Sequence, residues 1–292
     1  MSSSPLSRRR FLRATGVAAT PLALAWGGCG DEMRTVKPLA GPALDALIPL
    51  VARDTGQIRE GLPKGVVALA KHLDDEPADN REGLRNAIVK ARESTQELVV
   101  AKSTFFVFVG TDGVVKRSES DPDLAADQSL IEAVPAAKDM LDPKRKLVEV
   151  FGTMEGLRGV NKGNKLQWIV GAPVVIGGTL KGAFVTGFSL RRYAEVLEIS
   201  LKAKLKELVE AERTMMPLFY NFIIKGDQAY GTAVAPDENM AAVGAARPLA
   251  NLGPDGMFSA TLEVEGRRFF VAAKPAPALA EDAAVAVMLS PV

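Results

Sequence analysis

This chain of 292 residues has one histidine, His72, and one cysteine, Cys29. Structural zinc sites draw on several Cys or His ligands and haem iron on an axial one, so neither kind of site has its parts here. A hydrolytic triad would have a single candidate base and no Gly-x-Ser-x-Gly turn to present a nucleophile. One thiol cannot form an internal disulfide. Charge of one sign is also lacking, with 36 Lys and Arg against 35 acids, so there is no basic excess of the kind that nucleic acid requires. No apolar run after residue 29 approaches the ~20 residues of a spanning helix. These absences point away from an enzyme, a nucleic-acid binder and an integral membrane protein, and no cofactor is expected. What remains is about 260 residues, enough for one or two packed cores.

What is present begins at the N-terminus. Arg8, Arg9, Arg10 and Arg13 form a positive segment without an acid, followed over 14–26 by a short, weakly apolar run. That is the pattern of an export signal. Ser7-Arg8-Arg9-Arg10-Phe11-Leu12-Arg13 resembles the twin-arginine motif, carried by Arg8, Arg9, Phe11 and Leu12, with Arg13 replacing the final Lys. Gly27-Gly28-Cys29 resembles a lipoprotein processing site. The resemblance implies removal of residues 1–28, a lipid on Cys29, a tether over 29–40, and a periplasmic protein anchored to the inner or outer membrane. Trp26 stands where such sites carry Leu, and Ala23-Leu24-Ala25 offers another cut that leaves Cys29 a free thiol. Both cuts remain open. Loss of residues 1–28 removes four arginines and no acid, leaving 32 Lys and Arg against 35 acids, a charge of −3.

Apolar periodicity predicts an N-terminal helical layer over 41–103. Its helices span 43–60 (Leu44, Leu47, Ile48, Val51), 63–74 (Val66, Leu69, Ala70) and 81–102, with Pro63 in a first helical turn. The period then changes to that of strands. Phe105-Phe106-Val107-Phe108-Val109 and Val114-Val115-Lys116 flank a Thr111-Asp112-Gly113 turn. Asp121-Pro122 reads as a cap and first position for a helix over 124–140. Strands follow at 146–151, 166–176 and 179–188. Ser189 caps a connecting helix, 190–213, with Ala194, Leu197, Leu201, Leu205 and Leu208 on one stripe. Strands at 218–224 and 228–234, a helix at 238–246, and strands at 258–264, 267–274 and 284–289 complete the chain.

Strand, strand, helix, strand, strand, strand thus occurs twice, each time after a long helix, an internal repeat of architecture. The hairpin at 105–118 and the paired strands at 166–190, with Ala172-Pro173 and Gly182-Ala183-Phe184-Val185-Thr186-Gly187, resemble the PAS fold in its extracellular Cache form. That resemblance implies an α+β protein. Two PAS/Cache-like modules, 104–189 and 214–292, each a five-stranded antiparallel sheet with helices, follow the N-terminal helical layer.

The chemistry-bearing residues are sparse. The glycine-punctuated loop 152–163 lacks the Gly-Lys-Ser/Thr of a phosphate-binding loop. The Cache resemblance places it beside a ligand pocket, where Arg158, Lys162 and Lys165 with Trp168 are the candidates to hold a small anionic ligand; an ordinary surface loop is the alternative. Asp121, Asp123 and Asp127 are spaced loosely like oxygen ligands but without the turn glycine and terminal Glu of a calcium loop, and helix capping explains them. No metal site is expected. His72, beside Lys71 and Asp74, reads as a surface or locally paired histidine. The 190–213 stripe suits packing on the chain's own sheet or a homodimer. The function these features imply is a non-catalytic, sensor-like protein that binds a small ligand or signals to a partner. A structural or assembly lipoprotein of the envelope, docking proteins through the same fold, is the alternative.

Overall fold

The computed structural model describes residues 32–75, 80–155, 157 and 166–292. The signal motif, Cys29, Arg158, Lys162 and Lys165 lie outside the described residues.

The chain's axis is α1, Glu32–Asp75, a single helix of 44 residues, about 66 Å at 1.5 Å per residue. Two helices with a break near Pro63, and a tether over 29–40, were expected; α1 instead starts at Glu32 and runs through Pro38, Pro42, Pro49 and Pro63. Each proline removes one amide hydrogen bond from the helix interior, but the apolar stripe continues across it. Leu44, Leu47, Val51, Ile58, Leu62 and Leu69 have no exposed surface, and burying each such side chain contributes about 1.5–3 kcal/mol. Met33–Leu73 is also long and apolar enough to cross a membrane by length and composition, contrary to expectation. Its buried stripe packs on both sheets of the fold, as a core helix does.

The third expected helix is two, α2 at Arg81–Glu93 and α3 at Gln96–Val100. Asn80 caps α2 by accepting from the Gly83 amide at 3.0 Å. The α2 chain closes on Ser94, and α3 opens at Thr95, whose hydroxyl donates back to the Ala91 carbonyl at 2.9 Å.

Strands β1 (Phe105–Gly110), β2 (Val115–Ser118), β3 (Val148–Gly152), β4 (Gln167–Ile176) and β5 (Thr179–Ser189) form one antiparallel sheet in the order β2-β1-β5-β4-β3. After α5 (Leu190–Glu212), strands β6 (Leu218–Lys225), β7 (Gln228–Gly231), β8 (Phe258–Val264), β9 (Arg267–Pro275) and β10 (Ala283–Ser290) form a second, β7-β6-β10-β9-β8. The order is the same in both, as the repeat predicts. Gly177 and Gly178, both at positive φ, turn β4 into β5, the backbone that a two-residue hairpin needs. Ser189 caps α5 as expected, accepting from the Arg192 amide at 3.0 Å. Its buried stripe of Tyr193, Ala194, Leu197, Leu201, Leu205 and Val209 packs on α1 and the second sheet.

The helix expected over 124–140 is reduced to α4, Leu130–Ala133, and a 3-10 turn, Pro135–Leu141. Asp121-Pro122 is a cis bond and caps nothing. The backbone of the preceding segment is engaged elsewhere. Asp127 donates to the Val115 carbonyl and the Gln128 carbonyl accepts from the Val115 amide, each at 2.8 Å. These bonds lay the segment along β2, and a helix there would break them. In the second half, α6 (Asp237–Ala245) and a 3-10 turn (Pro248–Ala250) take the corresponding place.

Gly187, in the central strand β5, sits against backbone: a Cβ there would come within 2.1 Å of the Trp168 carbonyl oxygen and 3.1 Å of Ile169 Cα. Backbone in a paired sheet cannot yield as a side chain does. Gly187→Ala is therefore expected to lower unfolding free energy by about 2–3 kcal/mol or more, read from the midpoint of urea denaturation.

Candidate functional site

The first sheet has two unlike faces. One is largely apolar, with the polar Ser118 and Gln167 buried toward its margins. Val107 and Val109 of β1, Ile169 of β4 and Val185 of β5 meet a covering layer of Leu130, Val134, Ala137, Met140, Met154 and Leu157. Glycines bring that layer close. A Cβ at Gly171 would lie 2.3 Å from the Met140 sulfur, one at Gly152 2.6 Å from Val134, and one at Gly113 2.3 Å from Ile131. On this face the chain's own side chains interdigitate with the sheet.

Trp168 is not on that face. Side chains alternate along a strand, so with Ile169 toward the covering layer, Trp168, Val170 and Ala172 point toward α1. The indole is fully buried, and its N–H donates to Glu149 Oε2 at 3.0 Å. Trp168, a ligand candidate by sequence, thus lies in the helix–sheet interface, because a one-residue change of parity decides which side of a sheet a residue serves.

On that second face the structure gathers its polar groups. Arg59 of α1 grips Glu149 of β3 through two bonds of 2.7 Å, and donates at 2.5 Å to the Ala278 carbonyl, between β9 and β10. Its guanidinium also lies over the Trp168 ring, 5.4 Å from the centroid. One turn away, Asp54 is 1% exposed in the middle of the apolar stripe. Tyr193 donates to its Oδ2 at 3.0 Å, and Arg53 donates twice to its Oδ1, at 2.9 and 2.7 Å. Phe188 joins the two sets, 5.0 Å from the Trp168 ring and stacked 4.4 Å from Tyr193. A buried carboxylate needs such partners, since removing them leaves an uncompensated charge. Burial first, and then the negative Asp54, push the Tyr193 phenol above its ordinary range.

The three aspartates weighed as oxygen ligands are partnered by arginines instead. Arg81 pairs with Asp127 at 2.8 Å, Arg85 with Asp121 at 3.5 Å, and Arg117 with Asp123 at 3.4 Å. Asp123 also accepts from the Ser118 and Ala126 amides, so it organises a loop and caps no long helix. Among the described residues no three His, Cys, Asp or Glu side chains converge on a possible metal position.

His72 is half-buried at the end of α1, beside an open groove of about 430 Å³ that Lys64, Lys71, Thr95 and Glu97 also line. Lys64 and Glu97 pair there, and the hydrogen bond between them holds the ammonium above and the carboxyl below their ordinary values. Another open groove, about 340 Å³, lies between α5 and residues 232–234, with Ile199 and Val234 exposed on its walls.

No protein-family pattern matches the chain, and no curated protein matches it in sequence. Solved structures do. The extracellular domain of vpHK1S-Z8 superposes with a TM-score of 0.50 at 11% identity, over 88% of this chain and 93% of that one. The fold is α+β, with two tandem PAS/Cache-like modules. The ligand-binding domain of the Pseudomonas aeruginosa PAO1 amino acid chemoreceptor PctB, solved with L-Arg, matches with a TM-score of 0.48 at 17% identity, over 89% of this chain and 88% of that one. The sensory domain of the Campylobacter jejuni chemoreceptor Tlp3, solved with isoleucine, does so with a TM-score of 0.44 at 12% identity, over 89% and 95%.

The Arg59–Glu149–Trp168 and Asp54–Tyr193 sets were not foreseen. A signal existed for Asp54, because the stripe Leu44, Leu47, Val51, Ile58, Leu62 runs straight through it, and a carboxylate at a core position requires partners. None existed for Arg59, which sits beside the stripe as an ordinary surface residue does. Tyr193→Phe is expected to cost about 1–3 kcal/mol at pH 7, by taking a donor from a buried carboxylate. A phenol raised by folding stabilises the native state fully below its unfolded value near ~10, and that contribution is lost as pH climbs toward the folded value. Tyr193→Phe should therefore lose less stability than the parent between about pH 10 and 12, measured by thermal unfolding across that window.

Proposed function

We propose that the mature chain is an exported, lipid-anchored, non-catalytic protein of the sensor type, whose two Cache-like modules pass a signal to an envelope partner. The modules are 104–189 and 214–292, joined by the connecting helix. The observation that carries this reading is the fold, with both sheets docked on one helix that starts at Glu32, three residues after Cys29. Twin-arginine export through Arg8, Arg9, Phe11 and Leu12 and a lipid on Cys29 would fix the helix start at a membrane surface. PctB was solved with L-Arg and Tlp3 with isoleucine, and a small-molecule version of the reading takes a ligand of that size. In that version the candidates for a small anionic ligand are Arg158, Lys162 and Lys165 with Trp168. The sole histidine at an open groove and the sole cysteine at the anchor position support a non-catalytic role.

One observation favours a second reading. The covered face of the first sheet is packed with Val134, Met140, Met154 and Leu157, so side chains of the protein itself fill the space against it. On this reading the modules dock a protein and hold no small molecule.

Two measurements test these readings. Arg8→Lys together with Arg9→Lys should leave unprocessed precursor in the cytoplasm, and Cys29→Ser should release exported protein from the membrane pellet; normal export and anchoring would overturn the leader assignment. The soluble Cys29→Ser protein, screened by thermal shift against small carboxylates, amino acids and purines, should gain Tm with one class if a ligand is held. A flat response to all three assigns the fold to protein docking.

A further inference from the structure

Two cations cross between the modules, and both do so at the same strand and the same loop. Arg59 grips Glu149 of β3 and donates to the Ala278 carbonyl in the loop 276–282. Lys225, at the end of β6, lies over the Phe151 ring of β3, 4.7 Å from its centroid, and pairs with Asp282 of that loop at 2.6 Å. Glu149 and Phe151 are two apart on one face of β3, while Val148 and Val150 between and beside them face the covering layer of the first sheet. β3 is also an edge strand, paired within its sheet with β4 alone, so one strand partner fixes its position.

We infer that β3 is a mechanical link between the modules: Arg59 and Lys225 are paired straps that make the order of the loop 276–282 in the second module depend on the position of β3 in the first. The covering layer sits on one side of β3 and the straps on the other, so a change in that layer reaches the second module through this strand. The inference stands whatever the chain binds. The loop itself is shaped by local bonds, Leu279 to the Ala276 carbonyl at 2.9 Å and Ala283 to the Ala280 carbonyl at 3.0 Å, whose amides report its opening.

Amide hydrogen exchange on the soluble Cys29→Ser protein tests the link. Glu149→Gln removes the carboxylate that positions Arg59 and touches nothing in the loop directly. Exchange at Leu279 and Ala283 should nevertheless speed up on the order of tenfold, as it should in Arg59→Met. Phe151→Leu, which keeps an apolar side chain on β3, should accelerate the Asp282–Ala283 end by a smaller factor. It also serves as the reading if Glu149→Gln raises exchange throughout the molecule. Acceleration confined to β3 and β4 in Glu149→Gln and Phe151→Leu, with the loop 276–282 unchanged, would overturn the inference.

Discussion

Everything in this fold leans on the apolar stripe of α1. One side of a single helix supplies core to β4 and β5 of the first sheet and to β9 and β10 of the second, and α5 closes over it. Neither sheet could bury that side of itself without the helix, and the helix could not stay in water with such a stripe uncovered. The four prolines within α1 are tolerated for the same reason: packing outweighs the lost backbone bonds. Gly61 and Gly65 add to this by letting α3 approach, since a Cβ at either would fall within 2.8 Å of the Leu98 side chain.

Sharing a helix also concentrates the polar chemistry. A core served from two directions leaves a seam, and Asp54, Arg59, Glu149 and Tyr193 occupy it, each with partners that offset its desolvation. The outer faces of the two sheets are simpler. The first is closed by α4 and its 3-10 turn, the second by α6 and its own, with Met240 and Val243 over Phe222, Val271 and Met288. The architecture therefore separates a seam rich in charge from two outer layers that are almost wholly apolar.

Much of this was readable in the residues. Strand limits beside Gly177-Gly178, Gly226 and Glu265-Gly266 followed from those turns, which have few chemical solutions, whereas β7, expected to reach 234, ends at Gly231. The repeat followed from order alone. The failures have one cause, that local rules were overruled by contacts distant in sequence. Pro63 signals a helix start, but Ile58 and Leu62 on one side and Leu69 on the other share a buried surface that continues past it. Asp121-Pro122 signals a cap, but Val115 claims the backbone that a helix would have used. Trp168 stands close after the 152–163 loop in sequence, but the pleat of β4 turns its side chain toward α1. Arg59 and Glu149 are 90 residues apart, and nothing in either neighbourhood announces the other.

The glycines beneath the first sheet's covering layer bear on how this sequence can drift. Gly113, Gly152 and Gly171 each abut one larger side chain, Ile131, Val134 and Met140 respectively. Enlarging the glycine alone creates a clash, and trimming the larger partner alone leaves a void. Each pair is thus free to change only in concert, and its two members should covary among descendants of this chain. A lineage that trimmed Met140 and kept Gly171 would open a hollow against the sheet, so the step between a filled layer and a binding chamber is as small as one side chain.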